Sequence, residues 1–504
     1  MARRSSRNRR ENRTDGIKQM PFKQLKNPYS PIEVLTKDQV EAIHHASLRI
    51  LKETGMRVTE AGARQKLKAV GCDVDESTQM VRFDPALVEE MLTGLPSEYV
   101  SHARNPEKNI TVGGSNIMFT TVAGPGFVTD LDRGRRPGTY AELRDFIKVS
   151  HSLNIIHNDG GCGFEPLDLP TETRHMDMMY AQATLTDKGW HPCWMNSRKR
   201  AEDVIEMMCI SLGMSHEELS NTPTITGGIN TNSPLLLDGD MTDGMAVLVE
   251  MGQPVYICPF TMAGAMSPVT LAGTLAQQNA EVLAGVVMIQ SIRRGSPVIY
   301  GHFSTNVDMK SGSPAFGTPE YTKTALASGQ LARRYNLPLR SSSTTASPVV
   351  DAQAAYESEM SLWGTVMGHT NVIIHAAGWL EGGLTASFEK LVLDAEMLQM
   401  MAATLDPIVV DDDTLAIDTI NEVGPGGHFF AAEHTLARYE TEFYSPLVSD
   451  WRNFETWEED GSKTTTERAN TIWKQLLNEY EQPPIDQAMD EELQAYMAKR
   501  KEQY

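Results

Sequence analysis

Short apolar runs alternate with longer stretches of helical period through the middle of the chain, from residue 117 to residue 405. The longer stretches, such as 201–212, 267–294, 319–335 and 351–368, have the length and apolar spacing of helices. Residues 252–254 and 336–338 pair a Gly or Asn with a nearby Pro, as helix ends that lead into strands often do. The pattern therefore predicts eight strands, at 117–121, 154–158, 191–196, 223–229, 255–260, 297–303, 337–341 and 371–376.

Eight strands joined by helical crossovers predict an α/β fold, a closed (β/α)8 barrel of the TIM type over residues 117–405. An open doubly wound sheet is the structural alternative, and it usually carries a glycine-rich phosphate loop after its first strand. No G-x-G-x-x-G or Walker sequence stands at a predicted strand end, which favours the barrel. Residues 127–137 predict an inserted β-hairpin with its turn at 132–134.

The residues before the barrel, 32–116, are predicted to form an N-terminal helical subdomain. Thr36 is a typical N-cap for an amphipathic run that Gly55 ends, and a second helix runs to Gly71. Asp84 followed by Pro85 begins a third helix. The arginine-rich residues 1–31 are predicted to be a disordered basic arm.

The residues after the barrel, 406–504, are predicted to form a cap segment and a helical tail. A short strand at 408–410 is followed by an acidic turn at 411–413 and a glycine-rich loop at 424–427. The charged, amphipathic tail from Trp451 is interpreted as a packing arm or an oligomer contact. It is not interpreted as catalytic.

A formal net charge of −21 makes nucleic acids and anionic membranes poor partners, because both are polyanions. No apolar run reaches the roughly 18 residues that span a bilayer, and the arginine-rich N-terminus has no apolar stretch after it to make a secretory signal. The five cysteines form no C-x-x-C pair, which indicates reduced thiols and a cytoplasmic location. A homo-oligomer is expected because symmetric assemblies are common.

The active sites of such barrels lie at the C-terminal ends of the strands, so the residues there are the candidates for substrate binding. The aromatic candidates suit a cation held against ring faces, and the arginine suits a carboxylate. In chain order these candidates are Phe164, Trp194, Asn230, Phe260, His302, Phe303, Arg340, His375, Trp379 and Glu381.

Several common chemistries lack their residues here. There is no H-E-x-x-H or Cys/His spacing for a metal, no G-x-S-x-G and no strand-end lysine, so no metal ligand or catalytic residue is assigned. The structural alternatives stay open at this point. His302 and His375 are equally compatible with buried structural histidines, Arg340 with a pair to Asp351, and single aromatics with packing.

Four long segments resemble the trimethylamine methyltransferase family in order and spacing over nearly the whole chain. They are MSPVTLAGTLAQQNAEVLAG at 266–285, VDAQAAYE at 350–357, HAAGWLEGG at 375–383 and GGHFFAAEHT at 426–435. The resemblance implies a barrel enzyme that passes a methyl group to the reduced cobalt of a separate corrinoid protein. It implies that no cofactor is permanently bound to this chain and that the cobalamin is carried by the partner.

Archaeal trimethylamine members of that family carry pyrrolysine near the end of a barrel strand. The matching position falls in or just after 341–345, where this chain has ordinary serines and threonines. The resemblance is therefore to the non-pyrrolysine branch and implies a small quaternary amine, glycine betaine or a related betaine, as methyl donor.

Two rival functions remain open from the sequence. The first is the same donor with tetrahydrofolate as the acceptor, and the second is a betaine-binding barrel that has lost methyl transfer. Carnitine, proline betaine, choline and a sulfonium compound also remain open as donors.

Overall fold

A computed structural model describes residues 17–191 and 195–504. The segment before the barrel begins with strand β1 (Leu25–Lys26), which pairs antiparallel with Asn116 and Ile117. Met20 donates its backbone N–H to Gln399, and Lys23 pairs with Asp406 at 3.0 Å. The predicted disordered arm is therefore wrong for residues 17–31, which pair with and pack on the barrel.

Three helices follow where the capping residues predict them. Helix α1 (Lys37–Glu53) has a capping box at Thr36, helix α2 (Ala61–Ala69) ends near Gly71, and helix α3 (Pro85–Met91) is capped by Asp84. The purely helical prediction misses short strands between and after these helices, whose runs of three or four residues are too brief to show a period. These are β2 (Met56–Val58), β3 (Asp73–Asp75), β4 (Met80–Arg82), β5 (Glu98–Ser101) and β6 (Ile110–Gly113).

The barrel is a ring of parallel strands. Six of them pair in the order β10 (Gly227–Ile229), β12 (Val255–Ile257), β14 (Val298–Gly301), β17 (Leu339–Ser342), β18 (Val372–Ala377) and β7 (Asn116–Thr121). Single parallel bridges close the ring. They join Thr120 to Asn158, Asn158 to Gly189, and Trp190 to Ile225.

The second and third barrel strands are thus shorter than predicted. Only Asn158 of the second pairs, and the third pairs through Gly189 and Trp190, just before the predicted 191–196. The paired part of this strand ends at Trp190, whose indole is buried. Residues 192–194 of the prediction lie outside the described residues.

Barrel helices alternate with these strands. They are α4 (Tyr140–Ser152), α5 (Arg174–Leu185), α6 (Arg198–Leu212), α7 (His216–Ser220), α8 (Gly239–Glu250), α9 (Leu271–Ile292), α10 (Pro319–Arg334), α11 (Ala352–Met367) and α12 (Phe388–Thr404). Helix α9 is buried along most of its length, in line with its mainly apolar sequence. Among the described residues no helix is long and apolar enough to cross a membrane.

Additional short strands lie outside the barrel ring, mostly in its βα loops. The predicted hairpin is present as β8 (Phe127–Thr129) and β9 (Arg136–Pro137), paired antiparallel. The other short strands are β11 (Leu236–Leu237), β13 (Met262–Ala263), β15 (Thr305–Val307), β16 (Pro314–Ala315), β19 (Trp379–Leu380) and β20 (Thr385–Ser387).

The C-terminal residues form helices. These are α13 (Asp412–Leu415), α14 (Ile417–Val423), α15 (Glu433–Arg438), α16 (Phe454–Glu459), α17 (Thr465–Asn478) and α18 (Gln487–Lys501). The predicted strand at 408–410 is wrong: these residues are extended but unpaired and exposed, because no neighbouring edge is there to accept them.

The end of the chain is fixed at the buried carboxylate of Asp203 on α6. His175 lies 2.9 Å from this carboxylate, and the hydroxyls of Tyr496 and Tyr504 and the guanidinium of Arg500 donate to it. Burial opposes ionisation, but these hydrogen bonds lower the pKa of Asp203 to about 2. The tail therefore packs as a structural arm on the barrel helices.

Candidate functional site

A cavity of about 310 Å³ opens at the C-terminal ends of the barrel strands. Six of the ten predicted binding residues lie on its wall: Asn230, Phe260, Phe303, Arg340, His375 and Trp379. They lie in or just after five of the barrel strands, with His375 and Trp379 sharing one, so closure of the barrel brings them together from distant parts of the chain. The volume suits a small molecule and is too small for a polymer.

One side of the cavity is aromatic. The rings of Phe260 and Phe303 lie 5.2 Å apart between centroids, and Phe303 and Phe316 lie 5.4 Å apart. Trp379 stands edge-on to Phe303 and Phe316, at 6.1 and 5.8 Å. The indole N–H donates to the carbonyl of Thr345 at 3.0 Å, which fixes the ring plane. Such a group of rings offers several π faces to a cation.

The cavity wall also holds a buried cation, the guanidinium of Arg340, which is only 4% exposed. Its Nη1 donates to the carbonyl of His302 at 3.1 Å and lies 3.0 Å from Cys258 Sγ, while its Nε has no partner among the described residues. Within the described part of the chain no carboxylate forms an ion pair with it. The alternative pair is absent, because Asp351 caps α11 through Ala354 N.

A buried arginine without a carboxylate is costly, since burial removes water without replacing its charge stabilisation. The rings of Tyr256 and Phe303 each lie 5.2 Å from the guanidinium carbon and compensate only in part. An anionic group from a ligand is the natural counter-charge.

Two histidines face the same region in their neutral form. Burial, reinforced by the charge of Arg340, lowers the pKa of His191 to about 3 and that of His375 well below its usual value. His375 has a left-handed φ of +61°, and the pairing of β18 with β7 shifts register around it. Such a bulge re-aims a side chain, and Ser342 Oγ holds His375 Nδ1 at 3.0 Å.

Three predicted residues do not line the cavity. His302 points outward because successive strand residues face opposite sides, and it bonds Ser341 and Thr324 at 2.8 and 3.0 Å. Phe164 turns back into the core 5.7 Å from the ring of Phe146. Glu381 pairs at the rim with Arg135 at 2.7 Å. Trp194 lies outside the described residues.

The sequence reasoning missed Tyr256, His191 and Phe316, which also line the cavity. Tyr256 lies within a strand instead of at its end, and its ring fills the space that a side chain at Gly228 would take. A glycine pair inside the fourth strand, at 227–228, is the signal that pointed to this close approach. Phe316 lies in the loop after the sixth strand, too far from the strand end to be included when candidates are chosen from strand ends. His191 directly follows Trp190.

Two of the family-like segments support the cavity from behind. Glu357 accepts hydrogen bonds from Thr345 Oγ1, Ala346 N and Ser347 N, and so fixes the loop whose carbonyl holds Trp379. Glu281 does the same for the loop after the fourth strand, accepting from Thr231 and from Leu235 N. Both carboxylates are anchors that fix loop conformation.

Asp159 ends the second strand but lies behind the cavity wall. Burial raises its pKa to about 7, although Gln182 and Gly161 N donate to Oδ1. Its Oδ2 has no partner among the described residues.

The arrangement can bind a small zwitterion with its cation among the rings and its anion at Arg340. It offers no set of ligands for a metal, since no group of three or more His, Cys, Asp or Glu side chains with suitable spacing occurs in the described ranges.

Comparison with known proteins gives consistent matches over the full length. The family model Trimethylamine methyltransferase (MTTB) matches residues 2–504. The glycine betaine methyltransferase of Desulfitobacterium hafniense (strain Y51) is 38% identical over 471 residues, covering 93% of this chain and 97% of the relative. A trimethylamine methyltransferase of Methanosarcina mazei is 29% identical over 479 residues, covering 93% and 95%.

Among solved structures, the monomethylamine methyltransferase of Methanosarcina barkeri aligns with a TM-score of 0.49 at 11% identity. The alignment covers 91% of this chain and 92% of that one.

Proposed function

Since this chain belongs to the trimethylamine methyltransferase family and is a methyltransferase, we propose that its methyl donor is a carboxylated quaternary amine, glycine betaine or a close analogue. The 38%-identical relative is named for glycine betaine. The acceptor that we propose is the reduced cobalt of a corrinoid carried by a separate protein.

One observation carries the choice of donor: the cavity combines a buried arginine, which has no carboxylate partner among the described residues, with a group of aromatic rings. A betaine has the complementary halves, a carboxylate and a trimethylammonium group. Arg340 would hold the carboxylate through charge-assisted hydrogen bonds, with neutral His375 as a further donor. Phe260, Phe303, Phe316 and Trp379 would surround the methyl groups.

The chemistry asks little of the protein. The nucleophile forms a bond to one methyl carbon while the C–N bond breaks. The electron pair of the C–N bond stays on nitrogen, so the leaving group is a neutral tertiary amine. No proton moves, so no acid or base is required, which fits the neutral His191 and His375. The cavity residues bind the donor, align one methyl group with the opening and exclude water.

The site for the trimethylammonium group should not bind the positive charge too tightly. Nitrogen loses its positive charge in the reaction, so a carboxylate beside it would stabilise the bound donor more than the transition state. Rings and neutral polar groups such as Asn230 avoid this, and the binding energy comes instead from the carboxylate end, whose charge does not change.

The residues at 341–345 support a quaternary donor, because the family resemblance implies that archaeal members carry pyrrolysine in or just after this segment. Ser341, Ser342 and Thr345 are buried and hydrogen-bonded to His302, His375 and Glu357. They offer no electrophile to activate a neutral amine such as trimethylamine, which would have to release a dimethylamide anion, a much poorer leaving group than the neutral tertiary amine that a quaternary donor releases.

The cavity wall fits an acceptor that approaches closely. Gly124, Gly160, Gly161, Gly382 and Gly383 form part of it and present backbone without side chains. A corrinoid is a large flat ring, and a wall of this kind leaves room for it near the donor. The corrinoid would supply the nucleophile, and this chain would hold the donor in place.

The test is single-turnover methyl transfer from glycine betaine with two acceptors, reduced cobalamin and tetrahydrofolate, in separate reactions. We expect dimethylglycine to form with the corrinoid and not with the folate. Formation of dimethylglycine only with tetrahydrofolate would show that the folate, and not the corrinoid, is the acceptor. Betaine binding with no product under either condition, even when the carrier protein is added, would indicate a non-catalytic binding barrel.

A further inference from the structure

Residues 407–443, called here the C-terminal arm, leave the barrel after helix α12 and return to it at Tyr444. No residue of the arm is buried. The hydrogen bonds that shape it run within the arm, such as Asp411 to Thr414 N and Asp413 to Arg438. The chain next contacts the barrel where Leu447 N and Val448 N donate to Glu396 on α12. The arm therefore has secondary structure without a core of its own.

The arm carries an unusual amount of exposed apolar surface. Eleven large apolar side chains of the arm are at least 45% exposed, and Ile408, Phe430 and Phe443 reach 89%, 85% and 77%. At roughly 100 Å² of exposed surface for each, they present on the order of 1,000 Å². The largest apolar patch of a typical monomer is about 300–600 Å², and a stable interface needs about 800 Å² from each partner.

A second exposed apolar surface lies on the outside of helix α11. Tyr356, Met360 and Trp363 follow one another at i, i+4 and i+7, so they form a stripe along one face of this helix. They are 62%, 46% and 39% exposed. The opposite face of the helix, with Ser358 and Leu362, is buried against the barrel. Within residues 17–191 and 195–504, no element covers this outer stripe of a packed barrel helix.

We propose that the arm of each chain covers the outer stripe of a second copy, and that two such contacts related by a twofold axis make a permanent dimer. Reciprocal exchange uses both apolar surfaces and closes the assembly, as homo-oligomers do. The density of apolar side chains argues for a permanent partner. A carrier protein that leaves after each methyl transfer would return the arm to water, and interfaces of such partners are no more apolar than ordinary surface.

The experiment measures mass in solution by light scattering and sedimentation over a range of concentrations of the full chain. We expect a dimer or a larger even multiple at micromolar concentration. Phe430→Lys in the arm and Met360→Glu in the stripe should each weaken the dimer by at least about 30-fold, since each removes an apolar contact twice. Met309→Lys, a control at a 72% exposed residue outside both surfaces, should leave the mass unchanged.

Mixing the two variants distinguishes reciprocal exchange from other packings. In a mixed dimer both lesions fall in one contact and the second contact is native, so dimers should reappear when the two monomeric variants are combined. A monomeric native chain would overturn the proposal, as would a Met360→Glu variant as dimeric as the native chain. Failure of mixing to restore dimers would overturn the reciprocal exchange. Because none of these readouts measures methyl transfer, they stand apart from the test of function.

Discussion

Replacing Arg340 by glutamine should reduce the affinity for glycine betaine much more than the affinity for choline. The guanidinium is 4% exposed, and its protein partners are a carbonyl and a thiol, so its charge is left for the ligand. A hydrogen bond between charged groups contributes about 1.5–3 kcal/mol, which is about 10- to 150-fold in Kd. Choline has the same trimethylammonium group without the carboxylate and should lose little.

Isothermal calorimetry with both ligands, on native and Arg340→Gln protein, gives the four dissociation constants of a thermodynamic cycle. Glutamine keeps a donor for the carbonyl of His302, so the fold should persist, and thermal unfolding checks this. Arg333→Gln is the control: Arg333 is a partly buried arginine that, like Arg340, donates to a backbone carbonyl, here that of Gly368, and it lies outside the cavity wall.

The carboxylate assignment fails if Arg340→Gln leaves betaine affinity unchanged, or if it weakens betaine and choline by the same factor. The second outcome would mean that the arginine shapes the cavity without contacting the donor's anionic end.

Three further predictions concern single residues. Trp379→Leu should weaken glycine betaine binding by about 3- to 30-fold in calorimetry, while Trp379→Phe, which keeps a ring, should weaken it less; equal affinity of the leucine variant would leave Trp379 a packing residue. Because burial raises the pKa of Asp159 to about 7, its stabilising contribution is complete below about pH 4 and is lost as pH rises through 7. Asp159→Asn should therefore reduce the fall in Tm between pH 5 and pH 8, and an unchanged fall would contradict the raised pKa. Asp203→Asn should lower the free energy of unfolding by about 2–4 kcal/mol in urea titrations, because several buried donors lose a charged acceptor; a loss below about 0.5 kcal/mol would show that the C-terminal helix needs no such anchor.

The barrel was predictable because most of its strands are short buried runs that alternate with long helical stretches, and this alternation can be read from the sequence without knowing which strands pair. The capping residues Thr36 and Asp84 were equally local signals, and both helices begin there. The second and third strands were less predictable. Their pairing is reduced to bridges at Asn158 and at 189–190, and only the ring itself decides which residues are paired.

The cavity was predictable to the level of strand ends and no further. Neighbouring residues of a strand face opposite sides, so choosing between His302 and Phe303 required the register, which the sequence does not contain. Tyr256 was hidden for the same reason, within a strand that looks uniformly apolar. Phe164 follows a glycine-rich turn whose left-handed residues reverse the chain into the core, and its direction depends on those dihedral angles.

A competition among donors in one reaction tests directly whether glycine betaine is the methyl donor. Equal concentrations of glycine betaine, choline and trimethylamine, each with deuterated methyl groups, are incubated with the enzyme, the reduced corrinoid and its carrier protein. Mass spectrometry then measures the demethylated products and the label on the corrinoid. The account predicts that dimethylglycine dominates, and that Arg340→Gln removes this preference for betaine over choline. Dimethylamine as the main product, with no dimethylglycine, would contradict it.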